Sequence, residues 1–130
     1  MIPEDHLKAL TEYIDEWRVG DATRIHAVMD ENYAIDTGLP DMDPVPKAAF
    51  IGFFGGFRAS IAEQGGPAID DTHFMDIYGI NRRHVGDLTL ESALFVVPGF
   101  GSGTYLIAAK GGKVLFEDAS ILPVTVTGPA

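Results

Sequence analysis

The second half of the chain alternates strand-like segments with tight turns, and this pattern constrains the fold more than any other feature. The segments span residues 72–81, 88–97, 104–110 and 113–122. They are separated by Gly86-Asp87, by the run 98–103 and by Gly111-Gly112. A two-residue Gly-Gly turn is typical of a β-hairpin. Because connections this short cannot carry a parallel crossover, the sequence predicts an antiparallel meander.

The first half has helical spacing instead. Leu10, Ile14 and Trp17 fall on one face of a helix that begins near Pro3 and ends at Gly20. Asp21 has the chemistry of an N-cap for a second helix, which is predicted to run to about residue 32. A short strand at residues 33–37 follows it.

A third helix is predicted to begin at Pro46, because Phe50, Phe54, Phe57 and Ile61 repeat at helical intervals. Three glycines interrupt this helix, each at a cost of about 1 kcal/mol relative to Ala. Glycines of this kind suit a place where another backbone comes close. They are Gly52, Gly55 and Gly56.

Composition excludes several classes of function. The net charge of −10 opposes binding to nucleic acid or to an anionic membrane surface, and the basic run 82–84 is expected at a turn. The absence of cysteine rules out disulfides and thiolate chemistry. The N-terminal residues lack the features of a signal peptide, so a cytoplasmic location is expected.

Helices first and an antiparallel sheet after them predict a single α+β domain over residues 1–130, with a flexible tail at 125–130. The order of elements resembles the NTF2-like superfamily, which includes SnoaL-like cyclases and ketosteroid isomerase. The resemblance rests on residues 13–21, a helix closed by Gly20-Asp21, and on the hairpin at 110–114 that leads into Ile121. It implies a cone-shaped roll of three N-terminal helices on a curved antiparallel, or mixed, sheet. It also implies an apolar pocket for a small hydrophobic molecule and a homodimer through the sheet.

Tyr13 matches the tyrosine that donates a hydrogen bond to the oxyanion in the isomerase, although the residue also suits an ordinary core position. Asp36 lies where the isomerase has its catalytic base, in an apolar context that would raise the pKa of a carboxyl group. A gapless count instead puts Thr37 at that position, and a shift of one residue turns a strand side chain to the other face. In that alternative Thr37 faces inward, and Asp36 caps the turn at the start of the following loop.

By the resemblance, Tyr105 lies roughly where the isomerase has its second oxyanion donor, an aspartic acid there. Either Tyr13 and Tyr105 converge on one ligand oxygen, or Tyr105 only packs in the sheet. On the last strand, Glu117 shares a face with Leu115, Ala119 and Ile121, whereas Asp118 belongs to the opposite face. The resemblance favours Glu117 as the inward acid, but both acids also fit a solvated strand end.

His73 is predicted to share a face with Met75 and Ile77, which makes it either a rim residue or a dyad partner of Asp36. Trp17, Phe53, Met75 and Ile121 are the predicted pocket walls. The chain has no HExxH pair, GxSxG elbow or phosphate-binding loop, so neither a metal nor a cofactor is expected. The preferred hypothesis is a cofactor-free enzyme of proton transfer on a hydrophobic carbonyl compound. Its alternatives are a non-catalytic ligand-binding or dimerisation module and a scaffold for a partner protein.

Overall fold

A computed structural model describes residues 1–123 of the chain, with side chains to Ile121. The predicted tail at 125–130 lies outside this part. Two α-helices, α1 (Glu4–Val19) and α2 (Ala22–Ala27), precede every described strand, whereas α3 (Phe50–Glu63), with a 3-10 turn (Lys47–Ala49) before it, follows the first two strands. The strands are β1 (Met29–Asp36), β2 (Val45–Pro46), β3 (Asp76–Val85), β4 (Leu88–Val97), β5 (Gly101–Lys110) and β6 (Lys113–Pro123).

The six described strands form one curved sheet in the order β2-β1-β6-β5-β4-β3, and the two edge strands do not meet to close it. The meander β3–β6 is antiparallel throughout, as the short turns predicted. β1 pairs with β6 in parallel, with Ile35 opposite Glu117 and Asp36 opposite Asp118. The sheet is therefore mixed, with β1 inserted between β2 and the meander.

Several predicted boundaries are wrong. The second helix stops at Ala27, and residues 29–32 belong to β1, whose pairing with β6 overrides the local helical pattern. The basic run 82–84 lies within β3, because the turn is made by Gly86 and Asp87. β3 begins only at Asp76, so residues 72–75 are irregular.

The core lies between the inner face of the sheet and the apolar faces of α1 and α3. Leu10, Tyr13 and Trp17 of α1 are buried there, together with Phe50 and Phe54 of α3. Trp17 contacts both phenylalanine rings, with ring centroids 5.8 and 4.8 Å away. This aromatic packing holds α1 against α3.

The end of α1 is held by a residue of α3. Gly20 adopts a left-handed conformation (φ 96°) and ends α1. The buried Arg58 guanidinium donates to the carbonyl of Trp17 at 3.2 Å and to that of Asp71. A cation is favourable at the carbonyl end of a helix. This contact fixes the position of α3 relative to α1 and the loop before β3.

The three glycines of α3 do not mark a close approach of backbone within the described chain. A Cβ atom added to Gly52, Gly55 or Gly56 would meet no atom within 4 Å. This prediction is wrong, since these glycines face open space. No helix among residues 1–123 is both long and apolar enough to cross a membrane.

Candidate functional site

A mostly apolar cavity lies between α1, α3 and the inner face of the sheet. Aromatic rings from α1, α3 and β4 form much of its wall, and Thr37, Tyr105 and Glu117 are its polar lining residues. The cavity volume is about 30 Å³. That is room for one or two water molecules, whereas drug-sized ligands occupy about 300–1,000 Å³. A larger ligand therefore requires the wall to move.

All four predicted wall residues, Trp17, Phe53, Met75 and Ile121, line this cavity. Trp17 is only 5% exposed, and its indole Nε1–H finds no hydrogen-bond acceptor among the described residues. A buried donor without an acceptor is uncommon in folded proteins. Whether these residues contact a ligand remains a prediction.

Glu117 on β6 lines the cavity, on the face that the resemblance favoured. Its Oε1 accepts a hydrogen bond of 2.6 Å from the Tyr13 hydroxyl. Burial of the carboxylate raises the pKa of Glu117 to about 7, against a smaller lowering by the Tyr13 hydrogen bond. Glu117 therefore changes protonation near neutral pH, which suits a group that both accepts and returns protons.

Tyr33 extends this pair into a chain of hydrogen bonds. It lies on β1, is buried, and its hydroxyl is hydrogen-bonded to that of Tyr13. Since Tyr13 has one proton and donates it to Glu117, Tyr33 is the donor in its bond to Tyr13. Burial and the nearby Glu117 raise the pKa of both phenols. Both phenols are therefore protonated at neutral pH, so Tyr33 donates to Tyr13 and Tyr13 donates to the Glu117 carboxylate.

Tyr105 lines the cavity but donates its proton elsewhere. Its hydroxyl lies 2.7 Å from Oε2 of Glu91, a carboxylate that is only 1% exposed. Arg82 Nε donates to the other oxygen of Glu91 at 2.7 Å. Burial and the hydrogen bond to Glu91 raise the pKa of Tyr105. The two tyrosines predicted to converge on one ligand oxygen are therefore each committed to a different glutamate.

Asp36 lies outside the cavity. It is exposed at the end of β1, and its Oδ1 accepts the amide proton of Gly38 at 2.9 Å. Thr37 is 2% exposed and lines the cavity instead. Because successive side chains alternate across a strand, only one of the two residues can face inward. The structure thus gives Asp36 the turn-capping position, and Asp118, its partner on β6, is exposed as well.

His73 is exposed and does not pair with Asp36. Its Nε2 lies 2.6 Å from Asp76, and its Nδ1 lies 3.4 Å from the Arg18 guanidinium. The predicted alternation with Met75 fails because residues 72–75 are not a strand, so Phe74 and Met75 are both buried. The predicted dyad of His73 and Asp36 is therefore not formed.

Sequence reasoning missed two residues of the site, Tyr33 and Glu91. Glu91 occurs in the buried phase of β4, two residues from Thr89 and from Ala93. Tyr33 is in phase with Ile35 on β1 and with Thr37, the residue after the strand. Strand periodicity could have identified both residues as inward, whereas their partners lie too far along the chain for spacing to identify them.

Solved structures with a similar architecture include proteins described as NTF2-like and others of different activity. An NTF2-like protein from Cytophaga hutchinsonii is 13% identical, with a TM-score of 0.64 over 89% of this chain and 94% of that one. A candidate ketosteroid isomerase from Kribbella flavida is 11% identical, with a TM-score of 0.58 over 98% and 84%. The β subunit of benzoate 1,2-dioxygenase from Burkholderia mallei is 10% identical, with a TM-score of 0.61 over 89% and 87%.

No family model and no curated protein sequence matches the chain. At identities this low, structural similarity shows the fold and leaves the activity to be argued from the site.

Proposed function

Because the chain has the NTF2-like fold of these structures, we propose that it is a small-molecule pocket enzyme of cofactor-free acid–base chemistry. Its reaction is of the isomerase, cyclase or dehydratase type, on a hydrophobic carbonyl compound. The observation that carries this proposal is Glu117, which lines an apolar cavity with the Tyr13 hydroxyl 2.6 Å away. A carboxyl group whose pKa is about 7 is matched to proton transfer at neutral pH.

Glu117 is the base in this proposal. Its carboxylate removes a proton from the carbon next to the ligand carbonyl and leaves an enolate. The proton then returns from Glu117 to another carbon, or to the leaving oxygen in a dehydration. While Glu117 is ionised, Tyr13 donates to it, so the proton of Tyr13 is not offered to the ligand.

In the ligand-free protein the hydroxyls of Tyr13 and Tyr105 donate to Glu117 and Glu91, so neither is a free donor when the ligand binds. Two further donors belong to residues of the cavity wall. The Trp17 Nε1–H has no acceptor among the described residues, and the Thr37 hydroxyl has only the sulfur of Met42 at 3.3 Å. A donor with no strong acceptor in the free protein loses little when it turns to an oxyanion.

Exchange of the α-protons of apolar ketones for deuterium, followed by proton NMR, tests the proposal without knowledge of the natural substrate. A general base contributes about 10²–10⁴-fold to such a step. Glu117→Gln is expected to abolish protein-dependent exchange, whereas Asp118→Asn, its exposed neighbour, is expected to retain it. Equal exchange in wild type and Glu117→Gln would contradict the role of Glu117.

The outer face of the sheet supports a second candidate, a dimerisation module without catalysis. Tyr78 and Leu94 are each 55% exposed there, and Val96 is 37% exposed. Apolar side chains grouped on one face are typical of an interaction surface. Under this proposal two copies pair through the sheet, and Leu94→Lys shifts the mass measured by light scattering from dimer to monomer. A monomeric wild type at every concentration would contradict it.

A partner-protein scaffold would use the same exposed face, so binding of another protein there is the third alternative. It differs from the dimer because the isolated chain would be a monomer.

A further inference from the structure

A surface groove runs along α3 next to the cavity, and the two spaces share a wall. The groove has a volume of about 410 Å³, against about 30 Å³ for the cavity. Phe53 and Phe57 line both spaces. The two rings are half-buried and stack on each other, with centroids 5.4 Å apart. The two rings therefore form a wall that the cavity and the groove have in common.

The glycines of α3 leave room for these two rings to move. Gly52 and Gly56 line the groove, and a Cβ at either position would have open space around it. Phe53 and Phe57 follow these glycines directly in the helix, so no neighbouring side chain at 52 or 56 blocks their outward rotation. The glycine pair makes the groove deeper at the point where the cavity lies behind it.

The groove is apolar along most of its length. Leu39, Met42 and Phe100 contribute apolar side chains from outside α3, and Ile61 contributes one from α3 itself. Its polar lining residues, Ser60 and Gln64, are hydrogen-bonded to each other at 3.0 Å. The groove therefore presents little unsatisfied polar surface to an occupant.

Charge defines the class of occupant. Among the described residues, neither the cavity nor the groove has a lysine or arginine in its lining, and Glu117 is the ionisable acid of the cavity. The chain as a whole has a net charge of −10. An anionic ligand would approach a negative protein and find no cation at the end of its path. An uncharged ligand meets neither obstacle.

We propose that the groove and the cavity are two parts of one binding site for an elongated, uncharged, apolar molecule, with Phe53 and Phe57 as the movable wall between them. The part of the molecule that reacts enters the cavity beside Glu117, and the remainder lies in the groove over Gly52 and Gly56. This inference rests on the proposed function for the identity of the reacting end. The groove itself is defined by its own residues.

Trp17 provides a direct readout, because it is the one tryptophan of the chain and it lines the cavity. N-phenyl-1-naphthylamine is an elongated, uncharged, apolar probe that accepts energy from excited tryptophan. Binding to the full chain is expected to quench Trp17 and to increase probe fluorescence in parallel. The anionic probe 1-anilinonaphthalene-8-sulfonate is expected to bind at least about tenfold more weakly at pH 8.

Gly56→Leu and Gly55→Leu form the decisive pair of variants. Both replace a glycine of α3 that faces open space, and leucine has the higher helix propensity, so both are expected to fold. Gly56 lines the groove, whereas Gly55 does not. Gly56→Leu fills the groove and is expected to lower the affinity for the uncharged probe at least about tenfold. Gly55→Leu is expected to bind the probe with the affinity of the wild type.

Equal binding by the two variants would overturn the proposal, as would stronger binding of the anionic probe. A chain ending at Pro123 that bound at least about tenfold more tightly than the full chain would identify residues 124–130 as the occupant, and would also overturn it. The proposed function fails separately. If Glu117→Gln retained full proton exchange while Gly56→Leu lost probe binding, the binding site in the groove would be supported and the catalytic role of Glu117 would be contradicted.

Discussion

The Tyr13 hydroxyl of α1 donates to Glu117 Oε1 of β6 at 2.6 Å, and this bond joins the first helix to the last described strand across the candidate site. The hydroxyl of Tyr33 on β1 is in turn hydrogen-bonded to the Tyr13 hydroxyl. Three elements far apart in sequence thus converge on one carboxyl group. The same burial that raises the pKa of Glu117 makes its ionised form costly to the folded state.

Glu117→Gln is expected to stabilise the protein above neutral pH. The folded pKa of about 7 exceeds the ordinary value of 4.5. The favourable contribution of Glu117 is therefore complete below pH 4.5 and is lost as the pH rises through 7. The amide has no charge to bury and still accepts from Tyr13, so the free energy of unfolding rises by up to about 3 kcal/mol at pH 8. Urea unfolding at pH 8 and pH 4 measures this; an equal effect at both pH values would argue against a raised pKa.

Tyr13→Phe is expected to raise the pKa of Glu117 further, because the hydrogen bond from Tyr13 stabilises the ionised carboxylate. Carboxyl titration by carbon-13 NMR measures the change. Tyr78→Phe is the control, since Tyr78 is 55% exposed on the outer face of β3. A lowered or unchanged pKa of Glu117 in Tyr13→Phe would show that the bond does not stabilise the charge.

Gly20→Ala is expected to destabilise the protein by at least about 1 kcal/mol. Its φ of 96° is unfavourable for a residue with a side chain, and the added Cβ would lie 2.7 Å from Arg58 Nη1. Gly52→Ala makes the same chemical change in open space within α3, so it is expected to stabilise by about 1 kcal/mol. Thermal unfolding of the two variants gives the comparison, and shifts of the same sign would contradict the contact between Gly20 and Arg58.

Glu91→Ala is expected to cost about 1–3 kcal/mol of stability, because it leaves the buried Tyr105 hydroxyl without an acceptor and removes the ion pair with the partly exposed Arg82. Glu63→Ala on the exposed side of α3 is the control and is expected to change stability by less than about 0.5 kcal/mol. Denaturant midpoints measure both. A Glu91→Ala variant as stable as its control would mean that the buried pair contributes nothing.

Short turns and periodicity predicted the meander of the sheet well, because both signals are local. β4 begins and ends at the predicted residues, and Glu117 lies on the inward face that the resemblance favoured. The orientation of Asp36 was harder to predict, because the face on which its side chain lies depends on the register between β1 and β6. A one-residue shift in that register exchanges Asp36 with Thr37, and only the paired strand determines it.

The hydrogen-bond partners in the site could not be predicted from sequence spacing. Tyr13 and Glu117 are 104 residues apart, and Tyr105 and Glu91 are 14 apart on neighbouring strands. Tyr105 was expected to donate a hydrogen bond to a ligand, but its hydroxyl donates to the buried Glu91 instead. The partner of each phenol depends on which acid the neighbouring strand places within 3 Å, and that is decided by tertiary packing.

The pKa of Glu117 in the ligand-free protein, measured by carbon-13 NMR of its side-chain carboxyl group, tests the central claim most directly. The expected value is about 7. A value near 4.5 would mean that Glu117 is hydrated in solution, and it would remove the physical basis for a neutral-pH base in this cavity.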